Sequence, residues 1–151
     1  MHDTCQACET TQSASDILAK RGARMTGLRR DVLSALHHEN RAIGAYDLFD
    51  QLKQDGKVSA PAAVYRVLDF LVTSGLAHKV EALSAYAACA AGGGAHSAIL
   101  LVCEGCGNVD EKPGKLAEPL GGFDREKGFQ THAISVEALG LCATCQAEMN
   151  D

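Results

Sequence analysis

Cysteine dominates the chemistry available to this chain of 151 residues, which holds seven cysteines and six histidines. Four of the thiols form two C-x-x-C pairs, Cys103-Glu104-Gly105-Cys106-Gly107 and Cys142-Ala143-Thr144-Cys145. Two residues between thiols let one turn present both to a single ion, and zinc takes four soft ligands in a tetrahedron. Gly107 suits the tight turn that aims N–H groups at thiolate sulfurs. Four thiolates leave no open position on the metal, so the spacing predicts a structural zinc. A redox C-x-x-C would need a βαβ setting and an electropositive neighbourhood. Cys103 instead follows an apolar run, and its nearest charges are acidic.

A second set of candidate ligands is His78, Cys89, His96 and Glu111. Cys89 and His96 flank Gly92-Gly93-Gly94. One thiolate with two imidazoles suits zinc better than iron or manganese. Ligands beside a glycine-rich loop must be ordered on binding, which offsets affinity and suits a sensor. The plainer alternatives are an isolated histidine that packs or is solvated, and a Cys89 that acts as a small buried hydrophobe. Cys5 and Cys8 make a third C-x-x-C, near His2 and Glu9. A disordered tail is the ordinary state of such a segment, and an accessory metal or redox role is the alternative.

These residues need elements to position them. Apolar residues make up 46% and charged residues 22%, a globular composition, but aromatics are only 5% and Trp is absent. Such a chain builds a thin core that calls for a staple or a partner. The net charge of −5 argues globally against nucleic acid. Its distribution does not: residues 1–83 are neutral, and the excess acid lies in 84–151. Lys20, Arg21, Arg24, Arg29 and Arg30 cluster with no acid between Lys20 and Arg30. Helical spacing predicts a short helix with Ile17 and Leu18, ended by Gly22, and a second capped by Thr26. A third carries Ala45, Leu48, Phe49 and Leu52, and a fourth starts at Pro61. Leu76–Glu81 and Ser84–Cys89 follow as two short strands with a tight connection. That is a winged-helix order, with the fourth helix placed for the major groove. Beyond the glycines, strands are expected at Ile99–Val102, Val109–Glu111 and Phe129–Val136, with helices at Lys115–Lys127 and Cys142–Met149. The fold class is therefore α+β. The division is a flexible tail (1–12), a winged-helix domain (13–90), a glycine-rich hinge (91–97) and a zinc-stapled domain (98–151). No signal-like N-terminus or membrane-length apolar run is present, so a cytoplasmic compartment with reduced thiols is expected. No enzyme is expected. His78-Lys79-Val80-Glu81 lacks the H-x-E spacing of a zinc deaminase, and Val102 stands where that signature has Pro.

The sequence resembles the ferric uptake regulator family, most closely its zinc-uptake branch, over about residues 13 to 148. The resemblance rests on Ala45-Tyr46-Asp47-Leu48, on Ala63-Val64-Tyr65-Arg66-Val67-Leu68-Asp69-Phe70-Leu71, on His78-Lys79-Val80-Glu81, and on the two cysteine motifs with Gly140-Leu141 before the second. It implies a bacterial homodimer whose C-terminal domain dimerises, with Cys103, Cys106, Cys142 and Cys145 on a structural zinc. It also implies a regulatory zinc at His78, Cys89, His96 and Glu111, so about two zinc ions per protomer. Tyr46 and Arg66 match positions that contact DNA bases, and Tyr65 and Arg29 share that surface. The implied function is a zinc-loaded repressor that binds double-stranded operator DNA and shuts off zinc-uptake genes. A family regulator sensing iron, manganese or peroxide is the alternative. The sequence also departs from the family. Gly27 replaces the usual Pro of T-P-x-R, Ala63 replaces a Thr, and the histidine-rich stretch of iron-type members is reduced to His96. That leaves His132 without a metal and makes His37 and His38 reserve ligands. Asp50 and Lys53 could pair between dimers on long sites, although an ordinary solvated pair is the simpler reading.

Overall fold

The computed structural model describes residues 6–39, 41–90, 98–113, 122–131 and 134–149. The chain divides into two compact units, Met1–Gly94 and Ala95–Asp151, and the division falls inside the glycine-rich segment. Among the described residues no helix is long and apolar enough to cross a membrane.

The first unit contains α1 (Gln6–Lys20), α2 (Gly27–His38), β1 (Ile43–Gly44), α3 (Ala45–Gln54), α4 (Pro61–Thr73), β2 (Ala77–Val80) and β3 (Ala85–Ala88). Local chemistry sets the boundaries. Thr26 caps α2, its hydroxyl accepting from Arg29 N at 3.3 Å. Pro61 opens α4, where its missing N–H is not needed. Gly75, at φ +72°, turns the chain out of α4 while Leu76 N reaches back to Leu71 O at 2.8 Å. This closure lets β2 start at once beside the helix it leaves. The apolar stripes of the helices then meet in one cluster that includes Leu18, Leu33, Leu48, Val64, Leu68 and Leu71.

The sheet of this unit has the order β1-β3-β2, all antiparallel. The ribbon β2–β3 turns through a 3₁₀ segment, Glu81–Leu83, with Ser84 at φ +49°. The third strand, β1, was not expected: two residues carry no periodic signal, and only the pairing of Ile43 with Tyr86 and Gly44 with Ala85 defines it. The expected boundary at residue 12 is not an element boundary, because α1 runs through it.

The second unit contains β4 (Ala98–Cys103), β5 (Val109–Pro113), α5 (Phe123–Glu126), β6 (Ser135–Gly140) and α6 (Ala143–Met149). Its sheet order is β5-β4-β6, with β5 antiparallel and β6 parallel to the centre strand. Two expectations fail here. The strand placed at Phe129–Val136 lies at Ser135–Gly140, because it is set by register with β4, from Ala98↔Ser135 to Cys103↔Gly140. The helix placed at Lys115–Lys127 is, among the described residues, only Phe123–Glu126. Gly122 before it has φ +87°, which no continuous helix passes through.

Thr26→Ala removes the side-chain acceptor from the start of α2. It should destabilise the first unit by about 1 kcal/mol, read as a lower denaturation midpoint in urea.

Candidate metal centre and nucleic-acid interface

Parallel pairing brings the two cysteine pairs together. Strands β4 and β6 run the same way, so both end at one edge of the sheet, where Cys103 stands beside Gly140. Glu104 N donates to Gly140 O at 2.8 Å, and Cys142 N donates to Cys103 Sγ at 3.2 Å. The Sγ atoms of Cys103, Cys106, Cys142 and Cys145 all lie within 4.8 Å of one another, and Cys106 Sγ is 3.8 Å from Cys142 Sγ. A tetrahedral zinc with Zn–S bonds of about 2.3 Å would hold neighbouring sulfurs about 3.8 Å apart. The donor set and its spacing thus fit Zn²⁺. Gly105 contributes a feature that the spacing rule alone did not single out. A Cβ there would lie 3.0 Å from Cys145 Sγ, so the knuckle closes only around a residue without a side chain. The signal in the sequence was a glycine between the two thiols.

The thiols differ in acidity. N–H groups of Cys142, Cys106 and Gly105 lower the Cys103 thiol to about 6. The Asn108 N–H favours the Cys106 thiolate, but hydrogen bonding with Cys103, burial and Cys142 outweigh it, and that thiol is raised. Cys145 is pushed up to about 12 by the Cys142 and Cys103 thiols and by burial. A metal therefore meets one ready thiolate and has to displace protons from at least Cys106 and Cys145.

The second candidate set divides between the units. In the first, His78 pairs with Ala87 and Ala77 with Ala88, and Cys89 N donates to Leu76 O at 3.0 Å, extending the ladder by one rung. Alternation along each strand then puts His78 and Cys89 on one face of the ribbon, as diagonal neighbours. A His78 ring nitrogen and Cys89 Sγ lie within 4.8 Å of each other. Cys89 is buried and His78 half-buried, with Nε2 out of solvent. Glu111 lies on β5 of the second unit, half-buried. His96, His132, Cys5 and the Gly92-Gly93-Gly94 run lie outside the described residues.

The exposed side of α4 carries Tyr65, Arg66 and Asp69. Tyr46, 63% exposed at the start of α3, meets Tyr65 edge to face with ring centroids 6.4 Å apart. Two arginines of the basic cluster are tied to the far end of this helix. Arg21 Nη1 donates to Ser74 O at 2.9 Å, and the Arg29 guanidinium lies 3.4 Å over the Phe70 ring while donating to Arg24 O. Lys53 sits 5.6 Å over the Phe49 ring, and Asp50 is exposed. His37, its imidazole held below its usual pKa by burial and then by His38, lies in the last turn of α2 beside exposed His38. Among the described residues neither joins a cluster of metal donors.

One unit is thus a winged helix with an exposed recognition face, and the other is a small sheet closed by four thiols. That combination defines a winged-helix protein that carries its own metal-binding module. The profile of the ferric uptake regulator family matches residues 20–139. The zinc uptake regulation protein of Escherichia coli K12 is 35% identical over 139 residues, 91% of this chain and 81% of its own. A solved zinc uptake regulator complexed with zinc and DNA superposes with a TM-score of 0.89 at 32% identity, covering 98% of this chain and all of that one (100%). A crystal structure of holo XcZur gives 0.79 at 31% identity, covering 92% of this chain and 98% of the other. The chain belongs to the ferric uptake regulator family.

Zinc affinity of the four-thiol site should fall by at least about two decades per pH unit as pH drops from about 8 to 6, because two or more protons compete with the metal. The slope should steepen below about 6, where Cys103 also takes up a proton. Chelator competition at fixed pH measures both. Gly105→Ala should force Cys145 away and release zinc to a chelator at least about tenfold faster than the parent does.

Proposed function

We infer that the protein is a zinc-responsive transcriptional repressor that binds operator DNA as a homodimer when zinc-loaded and shuts off zinc-uptake genes. The observation that carries this reading is the pairing of His78 with Cys89 on the ribbon of a winged helix, separate from the four-thiol cluster. A thiolate beside an imidazole prefers zinc to the harder iron and manganese. We assign Cys103, Cys106, Cys142 and Cys145 to a structural zinc, and His78, Cys89, His96 and Glu111 to the regulatory one. The second set would draw its ligands from both sides of the glycine-rich segment, with residues 91–97 as the hinge. Bound there, zinc supplies only charge and coordination.

The chain's own residues do the rest. Tyr46, Tyr65 and Arg66 form the base-contacting face. Arg66 can make a bidentate bond to guanine, and the tyrosine rings offer apolar contact to thymine methyls. Arg29 supports this face through Phe70. In a dimer two such faces address the halves of a palindrome. Fixing the hinge fixes their spacing, and by linkage DNA must raise zinc affinity by the same factor that zinc raises DNA affinity. Such a repressor works in the bacterial cytoplasm, beside the DNA and among reduced thiols.

Cys89→Ser should keep one tightly held zinc per chain yet lose most of the zinc-dependent gain in operator affinity, about tenfold or more. Metal analysis together with DNA titration at buffered free zinc checks both halves. Full zinc-dependent binding by this variant would remove Cys89 from the sensing site.

A further inference from the structure

One charged cluster of the first unit has no part in the metal sites. Lys79 is on β2, directly across the ladder from Tyr86, and its ammonium lies 3.0 Å from Glu81 Oε1. Alternation along the strand puts Lys79 and Tyr86 on the ribbon face opposite His78. That face carries Ala77, Tyr86 and Ile43, which belong to the helical core cluster. Lys79 thus stands on the ribbon face that meets the helical core, with the Glu81 carboxylate against its ammonium. It is the one Lys or Arg between Ala77 and Ala88, and Glu81 is the one acid.

We propose that Glu81 is an electrostatic brake on DNA binding, holding a lysine that would otherwise neutralise a phosphate. The proposal rests on the function inferred above, since it needs a duplex laid along Tyr65 and Arg66. The pair is exposed, 47% at Lys79 and 70% at Glu81, and exposed pairs are weak. The pair therefore costs the fold little to lose, yet while it is closed its two charges cancel and Lys79 neutralises no phosphate. Sequence-independent affinity follows the number of phosphates neutralised. Masking one cation per protomer lowers that background and leaves the base contacts of Arg66 intact. A repressor built this way stays off bulk DNA and relies on its operator contacts.

The test measures binding of the zinc-loaded full chain over a salt series, on a mixed-sequence duplex and on a duplex that the parent selects from a random pool. Glu81→Gln should tighten binding to both duplexes by about two- to fivefold and steepen the log–log salt slope by about 0.9 per protomer. In a Lys79→Met background the same change should do neither. An unchanged affinity and slope for Glu81→Gln overturns the proposal. So does an equal gain in the Lys79→Met background, which would mean that Glu81 acts on DNA without the lysine. If zinc does not alter binding of the parent, the repressor reading fails, while the Glu81 comparison is still read on the mixed duplex.

Discussion

The parallel pairing of β4 with β6 is the constraint on which the second unit depends. Were β6 antiparallel to β4, Cys142 would emerge at the opposite edge of the sheet from Cys103, and no four-thiol cluster would form. Apolar burial does little to enforce the arrangement. Among the described residues of this unit, the buried apolar ones are Leu100, Val102 and Cys103, while Leu101, Leu139, Phe123 and Phe129 are exposed. Burying a large apolar side chain stabilises by about 1.5–3 kcal/mol. A structural zinc contributes on the order of 10–16 kcal/mol of apparent binding energy. A zinc held by the four thiols, as proposed, would outweigh the burial seen among the described residues of this sheet.

The first unit has the opposite character. Leu18, Val32, Leu33, Leu48, Val64, Leu68 and Leu71 are all but fully buried in a single cluster built by helical stripes. A core of this kind does not call for a metal staple, so in the proposed sensor a metal at His78 and Cys89 would be free to exchange without unfolding the recognition helix. In the proposed scheme zinc thus has two thermodynamic roles in one chain. Where the core is poor, ligation and folding are one event. Where the core is sufficient, ligation is left free to bias a conformational equilibrium, as a sensor requires.

What was legible in the sequence was local. Thr26, Pro61 and Gly75 act within a few residues of themselves, and the C-x-x-C pairs carry their geometry in their spacing. What was not legible depended on distant register. Phe129 drew the last strand toward itself by its apolarity, yet it is 67% exposed. The strand begins six residues later, opposite the start of β4. No local pattern specifies that alignment. The short β1 is invisible for the same reason. The closeness of His78 to Cys89 follows from a ladder that sequence could suggest only as two adjacent strands. The basic cluster was legible as charge but not as architecture: Arg21 and Arg29 also tie the start of the unit to the C-terminal part of α4.

That use of the arginines bears on how DNA control can work. In the proposed repressor, a recognition face with Arg66 and Asp69 on one side of α4, in a chain half with no net charge, would gain less from counterion release than a strongly basic one. One such face alone would then bind a duplex more weakly than two engaged together. Two faces held at the spacing of two half-sites make the second contact intramolecular, and avidity then raises affinity by orders of magnitude, but only if the geometry allows both to engage. In the proposed repressor a low intrinsic charge is therefore an advantage. It makes binding depend on the relative placement of the two heads, which is the quantity that a ligand set drawn from both sides of a hinge can set. A strongly basic winged helix would hold DNA with either head, whatever the hinge did, and zinc would have little left to control.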